Sequence, residues 1–210
     1  MKLLAIDCCL RLTGVGLCID GEIIDVIQKD LGRRQSGELP KMTEKILRDN
    51  NLDFGDLDYI ALTNGPGYFT GIRVGAAYGS GLAYASGAEI IQVSSLEMLA
   101  FSCNCEYKKI LTLIYAGHGF CYGSCKNFLE SGEYSHEQIK SWLVNNSDAH
   151  IISDDFERIG LNDLNNFSFE VVKPDIKSLC ELACEKINLA VSPMNLKILY
   201  YRAPQGVNNY

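Results

Sequence analysis

The segment of this chain with the clearest capacity for chemistry is a glycine-rich loop, NGPGYFTGIR, at residues 64–73. Gly65, Gly67 and Gly71 permit positive φ angles and close approach of another group, and the loop leads into a helix whose first amides lack internal partners. Such a loop can hold an anion, for example a phosphate. Because Gly-Pro-Gly sequences also form tightly held turns, the pattern leaves both alternatives open.

Histidine and cysteine are the other residue types that could do chemistry here, as metal ligands. The three histidines, His118, His136 and His150, are far apart in sequence, and the cysteines include no CxxC pair. We therefore predict no metal site, and we expect each histidine to be a surface residue or a satisfied one. The cysteines lie at positions 8, 9, 18, 103, 105, 121, 125, 180 and 184. Their odd number, without an export signal, predicts reduced thiols rather than a disulfide framework.

Composition limits the class of protein and its partners. With 210 residues, of which 47% are hydrophobic, the chain can bury the core of one large domain or of two small ones. The net charge of −7 argues against a large basic surface, so any RNA should be held mostly by another protein. The absence of an apolar run of about 18 residues and of a signal peptide predicts a cytoplasmic protein with no membrane partner.

The elements that must position the glycine loop begin with an antiparallel meander. Residues 2–7 and 14–19 are apolar segments, and Asp20-Gly21 predicts a hairpin turn into a third strand at residues 22–30. An amphipathic helix over residues 38–50 follows, because apolar residues recur there at helical spacing. Its Pro40 is expected in the first turn, where proline is tolerated.

The helix after the glycine loop has little side-chain bulk. A strand at residues 59–63 precedes the loop, and the helix over about residues 70–85 contains Gly75, Gly79 and several alanines. Each interior glycine costs roughly 1 kcal/mol relative to alanine, so close packing must compensate. The small residues predict that another backbone approaches this helix, either the chain's own sheet or a partner.

The second half of the chain repeats this general order. A strand at residues 89–93 and a helix ending near residue 102 complete the first half, and polar residues 104–109 mark a domain boundary. The strands predicted beyond it cover residues 110–115, 120–126, 150–154 and 169–172, and the helices cover 136–144 and 176–190. Two halves of similar order predict an internally duplicated α/β protein.

Several segments resemble those of the TsaB (YeaZ) family. They are LLAIDCC at residues 3–9, GPGYFTGIRVG at 65–75, VSSLEMLA at 93–100 and YYRAP at 200–204. The match is close over the first half of the chain, and GPGxFTGxR is a specific signature in that combination. The resemblance implies an α/β actin-like ATPase fold (ASKHA, ribonuclease H-like) with two duplicated subdomains.

The resemblance also implies how the chain is divided. The N-terminal subdomain would cover residues 1–103 and carry the partner-binding helices. A smaller, diverged C-terminal subdomain would cover residues 104–210, with its last segment packing back on the first.

The function that the resemblance implies is that of a partner protein. TsaB proteins are noncatalytic scaffold and activator subunits that bind TsaD in the complex forming N6-threonylcarbamoyladenosine beside the anticodon of tRNAs reading ANN codons. TsaC or a relative supplies threonylcarbamoyl adenylate, and the ATPase TsaE joins the TsaB–TsaD complex. For this chain the expected partners are therefore TsaD in a heterodimer, TsaE through that complex, a second copy when isolated, and tRNA only indirectly.

The same resemblance implies that this chain does not perform the transfer. TsaD carries an HxxxH metal site on the helix after a strand like residues 89–93, and the corresponding positions here are Ser95 and Leu99. Leucine cannot ligate a metal, and a serine hydroxyl is a poor substitute. We expect no catalytic residue, cofactor or metal, and the missing HxxxH pair also excludes a metalloprotease. The alternative is an active actin-fold ATPase or small-molecule kinase, for which Asp154 and Asp155 offer carboxylates.

Asp7 occupies the place where actin-fold ATPases put a carboxylate that organises metal and phosphate. We interpret Asp7 as either structural or part of a vestigial nucleotide site, which it would form with Gly65, Gly67, Thr70 and Gly71. The hairpin after Asp7 begins with the bulky sequence CCLRL, which disfavours nucleotide binding.

In the TsaB family, the helix after the hairpin and the glycine-loop helix contact TsaD or a second copy. The residues that this places in the partner interface are Leu39, Met42, Ile46, Gly75, Gly79 and Leu82. Family members commonly have His-Ser where this chain has Gln35-Ser36, and a charged DARR-like segment where it has YAGHGF at residues 115–120. A contribution of those charges to recruiting TsaE or tRNA would be absent here.

Overall fold

Within residues 1–161 and 167–201, which the computed structural model describes, ten strands form two five-stranded sheets. The first sheet contains β1 (Lys2–Asp7), β2 (Leu12–Ile19), β3 (Glu22–Asp30), β4 (Tyr59–Thr63) and β5 (Glu89–Val93). The second contains β6 (Ile110–Gly117), β7 (Phe120–Cys125), β8 (Leu129–Ser135), β9 (His150–Ser153) and β10 (Phe169–Val171).

The two sheets share one topology. Their strand orders are β3-β2-β1-β4-β5 and β8-β7-β6-β9-β10. In the first, β1 pairs antiparallel with β2 and parallel with β4, and in the second β6 pairs in the same way with β7 and β9. This recurrence confirms the duplicated α/β organisation of the actin-like fold. The domain boundary predicted between residues 103 and 104 falls in the link between the sheets and stays a prediction.

Six helices accompany the sheets in the described residues. They are α1 (Gln35–Asp49), α2 (Phe69–Ser86), α3 (Ser95–Ser102), α4 (His136–Val144), α5 (Phe156–Ile159) and α6 (Ile176–Glu185). The prediction that Pro40 lies in the first turn of its helix is wrong, because α1 begins three residues earlier than expected. Proline has no N–H group, so Pro40 cannot donate the helical hydrogen bond to the Ser36 carbonyl. Both residues are exposed, so water can donate to that carbonyl instead.

Helices cover both faces of the first sheet, which is why β1 reads as a continuous apolar run. Leu3 and Ala5 face one core, which they share with α3 and α6. Leu4 and Ile6 face the other core, which they share with α1 and α2. Successive residues of a strand point to opposite faces, so one short strand contributes to both cores.

The end of the described chain returns to the first sheet. A Cβ added to Gly16 of β2 would lie 2.5 Å from the Sγ atom of Cys180 in α6, so that helix packs directly on the strand. Val191 then forms an antiparallel bridge with Ile90, and the Leu199 amide donates to the Asn64 carbonyl at 2.8 Å. The arginine, alanine and proline of YYRAP, like the end of the chain, lie outside the described residues.

Candidate functional site

The contacts of Asp7 are those of a structural carboxyl group. It ends β1 with no solvent exposure, and its Oδ1 atom accepts hydrogen bonds from Thr63 Oγ1 at 2.6 Å and from the Cys9 amide at 3.0 Å. Its Oδ2 atom has no hydrogen-bond partner among the described residues. Burial raises the pKa of Asp7 to about 6. The side chain ties β1 to β4 and to the turn that follows.

A second carboxyl with a raised pKa comes from the other sheet. Asp154 follows β9, and burial raises its pKa to about 6, with the negative charges of Asp155 and Asp7 acting in the same direction. Asp7 ends β1 and Asp154 follows β9, so each lies at the carboxyl end of a strand that pairs parallel with a neighbour, where α/β folds place ligands. Carboxyl groups for an ATPase site are therefore present. Whether the glycine loop could hold a phosphate distinguishes the ATPase from the noncatalytic partner.

The chain's own backbone packs against one side of the glycine loop. A Cβ at Gly67 would lie 2.2 Å from the carbonyl oxygen of Cys9, and one at Gly71 would lie 1.9 Å from that of Cys8. The Tyr68 amide donates to the Cys9 carbonyl at 2.8 Å. These glycines allow the turn between β1 and β2 to pack against the start of α2. Of the two alternatives for this loop, the contacts favour the tightly held turn.

The other residues expected at a nucleotide site lie around this turn. Gly65 has a φ of 100°, and a Cβ there would lie 3.0 Å from the carbonyl oxygen of Leu199. Thr70 is exposed in the first turn of α2. The structure thus brings Asp7 and the loop together, but with the turn between them.

Two buried thiols and a glutamine brace the turn. Burial raises the pKa of the Cys9 thiol to about 12 and also raises the pKa of the Cys8 thiol. Because only the thiolate is nucleophilic, neither residue is a nucleophile at neutral pH. The Gln35 amide donates to Thr13 Oγ1 at 3.0 Å and to the Cys8 carbonyl at 3.4 Å. Gln35, one of the departures from the family pattern, therefore holds the turn in place.

An open cleft of about 850 Å³ lies outside the turn, between the start of α1, the glycine loop and α5. The Nε atom of Arg11 lies 2.9 Å from Asp30 Oδ2. Arg158 in α5 donates to the hydroxyl of Tyr68 in the glycine loop at 2.9 Å. Its described lining contains both signs of charge and neither histidine nor cysteine. The cleft can admit a small polar molecule, and its lining includes the hydroxyl groups of Ser36 and Thr70 and the carboxyl groups of Asp30 and Asp155.

The helix after β5 offers no metal ligands at the positions that matter. Ser95 and Leu99, the positions that the resemblance aligns with the HxxxH histidines, have no solvent exposure. Leu99 belongs to the core under α6. A leucine packed in this way leaves neither a ligand nor space for one.

The predicted interface residues lie inside the monomer. Leu39, Met42 and Ile46 are 0%, 4% and 0% exposed and pack against the first sheet, so these side chains cannot form the outer surface that was expected of them. The reason is that spacing shows which positions share a helix face, while the sheet decides that this face turns inward. The interface itself remains a prediction for these helices.

The small residues of α2 also serve the chain's own packing. A Cβ at Gly79 would lie 2.4 Å from Leu62 Cδ2, and one at Gly75 would lie 3.3 Å from Cys8 Cβ. Leu82 is half-buried against the same core. Between the two explanations for the low bulk of this helix, these positions support contact with the sheet.

The outer face of α2 is the surface that sequence reasoning missed. Arg73, Ala77, Gly81 and Tyr84 are exposed at helical spacing, and nothing lies within 4 Å of a Cβ added to Gly81. A groove of about 480 Å³ separates this line from α1. The exposed residues of this helix are thus offset by two positions from the buried Gly75 and Gly79, and the sequence alone did not show which of the two sets faces outward. We call these four residues the outer α2 face.

A third group of chemically capable side chains lies at the junction of the two sheets. Cys103 and Cys105 form a disulfide, so the prediction of reduced thiols is wrong for this pair. His150 lies beside them; it is buried rather than at the surface, with its Nδ1 atom 2.8 Å from Ser168 Oγ and its Nε2 atom 3.5 Å from Glu170 Oε2. The sequence hides the cluster because His150 comes from a distant strand.

Comparison with protein families gives one match over most of the chain. The model described as "TsaD: tRNA N6-adenosine threonylcarbamoyltransferase" matches residues 26–184. A protein named tRNA threonylcarbamoyladenosine biosynthesis protein TsaB, from Haemophilus influenzae, is 33% identical over 101 residues, which cover 48% of this chain and 42% of that protein. The protein of the same name from Buchnera aphidicola subsp. Acyrthosiphon pisum is 24% identical over 196 residues, covering 87% and 86%.

Solved structures give the same fold. A crystal structure of an uncharacterized protein with similarity to peptidase YEAZ, from Pseudomonas aeruginosa, superposes with a TM-score of 0.81 at 20% identity and covers 96% of this chain and 99% of that one. At this identity the likeness establishes the fold alone. No described helix is long and apolar enough to cross a membrane.

Proposed function

This chain belongs to the family described as TsaD, tRNA N6-adenosine threonylcarbamoyltransferase, as a TsaB (YeaZ) member, and we propose that it is the noncatalytic partner of TsaD. Its role is to bind and activate TsaD, which forms N6-threonylcarbamoyladenosine beside the anticodon of tRNAs reading ANN codons. The chain spans 42% of the Haemophilus relative by alignment and 86% of the Buchnera one.

The observation that carries the noncatalytic role is the burial of Ser95 and Leu99 where a transferase needs two metal-binding histidines. The packing of the glycine loop supports the same conclusion, because carbonyl oxygens of Cys9 and Cys8, which repel an anion, face Gly67 and Gly71.

We place the partner surface on the outer α2 face and the adjoining part of α1, within the proposed subdomain of residues 1–103. An exposed helix with Ala77 and Gly81 at its centre lets a partner helix approach closely. The same face would hold a second copy when TsaD is absent. TsaE would join through the TsaB–TsaD complex, and the net charge of −7 fits a cytoplasmic protein that contacts tRNA only indirectly.

An ATPase or kinase remains the second candidate because Asp7 and Asp154 both have raised pKa values at the carboxyl ends of strands in the two sheets. Perturbed carboxyls in a cleft are a feature of active sites, although buried structural groups show it too. The two candidates differ in one property: the ATPase requires nucleotide turnover by the isolated chain, and the partner does not.

The test is a reconstituted reaction on unmodified tRNA. TsaD, TsaE and a TsaC-type enzyme from the same organism are combined with and without this chain, and threonylcarbamoyladenosine is measured by nucleoside mass spectrometry. The proposal predicts modification only when both TsaD and this chain are present. Modification without TsaD would make this chain the transferase, and modification that is unchanged without this chain would remove its activating role.

A further inference from the structure

Four metal-ligating side chains converge at the junction of the two sheets, away from the cleft and the outer α2 face. Cys103 directly follows α3, Cys105 lies in the link between the sheets, His150 begins β9 and Glu170 lies in β10. The two Sγ atoms and one ring nitrogen of His150 all lie within 4.8 Å of one another. Nothing in the proposed partnership with TsaD uses this cluster.

The imidazole of His150 is oriented like a metal ligand. It is 4% exposed, and its Nδ1 atom lies 2.8 Å from Ser168 Oγ. When Nδ1 donates to that hydroxyl, the lone pair of Nε2 faces the cluster, where it makes no hydrogen bond to any described residue. Metal-bound histidines are held in this way, with the second nitrogen fixed by a polar neighbour. The ring of Tyr107 stacks on the imidazole and covers it, with the two ring centroids 4.1 Å apart.

Glu170 supplies a fourth ligand at suitable distances. Its Oε2 atom lies 3.5 Å from His150 Nε2 and 3.9 Å from Cys103 Sγ. In a tetrahedral zinc site with bonds of 2.0–2.3 Å, neighbouring ligand atoms are roughly 3.3–3.8 Å apart. The carboxylate is half-exposed, so this corner of the site is the one that solvent reaches.

The disulfide between Cys103 and Cys105 adds little to stability. Its half-cystines are two residues apart, and so short a loop constrains the unfolded chain less than a long one does. Two thiolates beside a neutral imidazole are instead the donor set that selects zinc over magnesium or calcium.

We propose that, once the disulfide is reduced, Cys103, Cys105, His150 and Glu170 bind one zinc ion. A phosphine reductant gives two electrons to the disulfide and leaves as the phosphine oxide, with oxygen from water, so that two thiols form. Zinc then displaces the two thiol protons to solvent as two Zn–S bonds form. The ion joins the end of α3 to β9 and β10, and so fixes the second sheet to the first.

The chain offers a matched control for the cysteines. Cys18 and Cys180 lie in one core where β2 meets α6, and Cys184 packs against it. Cys184→Ser changes a half-buried thiol in that group and leaves the junction intact. It therefore separates zinc binding at the junction from binding by cysteines elsewhere.

The test uses the full chain, reduced with a phosphine and then freed of it without oxygen. Cobalt(II) serves as the optical probe, because thiolate ligands give it an intense charge-transfer band, and zinc retained on a sizing column is counted by mass spectrometry. The wild-type chain and Cys184→Ser should each hold one cobalt ion, which zinc displaces. The Cys103→Ser/Cys105→Ser variant should hold none, and Ser168→Ala should bind zinc roughly 10–100-fold more weakly.

Two results would overturn the proposal. One is a reduced wild-type chain that emerges from the column without metal and gives no charge-transfer band. The other is equal zinc retention by the double cysteine variant. Glu170→Gln, on a half-exposed side chain, provides a variant that should fold normally, and its zinc affinity should fall while its circular dichroism spectrum stays that of the wild type.

Discussion

Gly81 allows the outer α2 face to be altered without disturbing the core. A leucine at this position points into open space, since no atom lies within 4 Å of the added Cβ. Glycine is the poorest helix former apart from proline. Gly81→Leu is therefore expected to raise the free energy of unfolding of the isolated chain by roughly 0.5–1 kcal/mol.

The same substitution should weaken binding to TsaD. Ala77 and Gly81 leave room for a partner backbone, and the four side-chain carbons of leucine would overfill that space. Overpacking of a close contact costs roughly 1–3 kcal/mol. This corresponds to a Kd between about 5-fold and 150-fold higher. A variant that is more stable alone yet weaker in the complex is the signature of an interface position.

Both quantities are measurable on the purified chain. Urea unfolding gives the stability, and titration calorimetry with TsaD from the same organism gives the Kd. Ser141→Leu, an exposed position on α4, is the matched control and should leave the Kd unchanged. Wild-type affinity in Gly81→Leu would refute the assignment of the outer α2 face as the interface. Met42→Glu or Gly79→Leu cannot make this test, because both positions are buried in the monomer.

Three further predictions follow from the contacts around the first sheet. Gly79→Ala should lower the free energy of unfolding by roughly 1–3 kcal/mol in urea, because its Cβ would lie 2.4 Å from Leu62 Cδ2; an unchanged midpoint would show that this packing is loose. Asp7 has a pKa of about 6 when folded against 3.8 ordinarily, so the folded state holds its proton more tightly and stability should fall as pH rises from about 4 to 6. The wild-type chain should lose on the order of 3 kcal/mol of unfolding free energy over this pH range through Asp7, and Asp7→Asn should not show that loss. A pH profile of Asp7→Asn identical to that of the wild type would contradict the burial of this charge. With magnesium and ATP, the isolated chain should release no more phosphate than Asp7→Ala does; turnover lost only in the variant would support the ATPase instead.

The sequence was sufficient for most of the elements, although the short helix α5 and the strand β8 were not predicted and α6 ends at Glu185 rather than at residue 190. The strand at residues 2–7, the hairpin turn at Asp20 and the strand at 59–63 follow directly from apolar runs and turn residues. β8 was not predicted, because LESGEYS is polar and contains glycine. It lies at the edge of its sheet and pairs only with β7, so pairing rather than composition maintains it.

The candidate sites were harder to predict because they depend on which face turns inward and on contacts between distant segments. Leu39 and Met42 follow a helical period that is equally compatible with a core and with an interface, and only the sheet beneath them decides. The approach of Gly71 to the Cys8 carbonyl needs two turns to meet. The cluster around His150 joins segments that no local spacing rule relates.

The most direct measurement is the mass of the species that forms when this chain is mixed with TsaD from the same organism, determined by light scattering on a sizing column. A noncatalytic partner predicts a one-to-one heterodimer that forms at the expense of any homodimer of this chain. A homodimer that persists beside free TsaD at micromolar concentrations would contradict the proposed function.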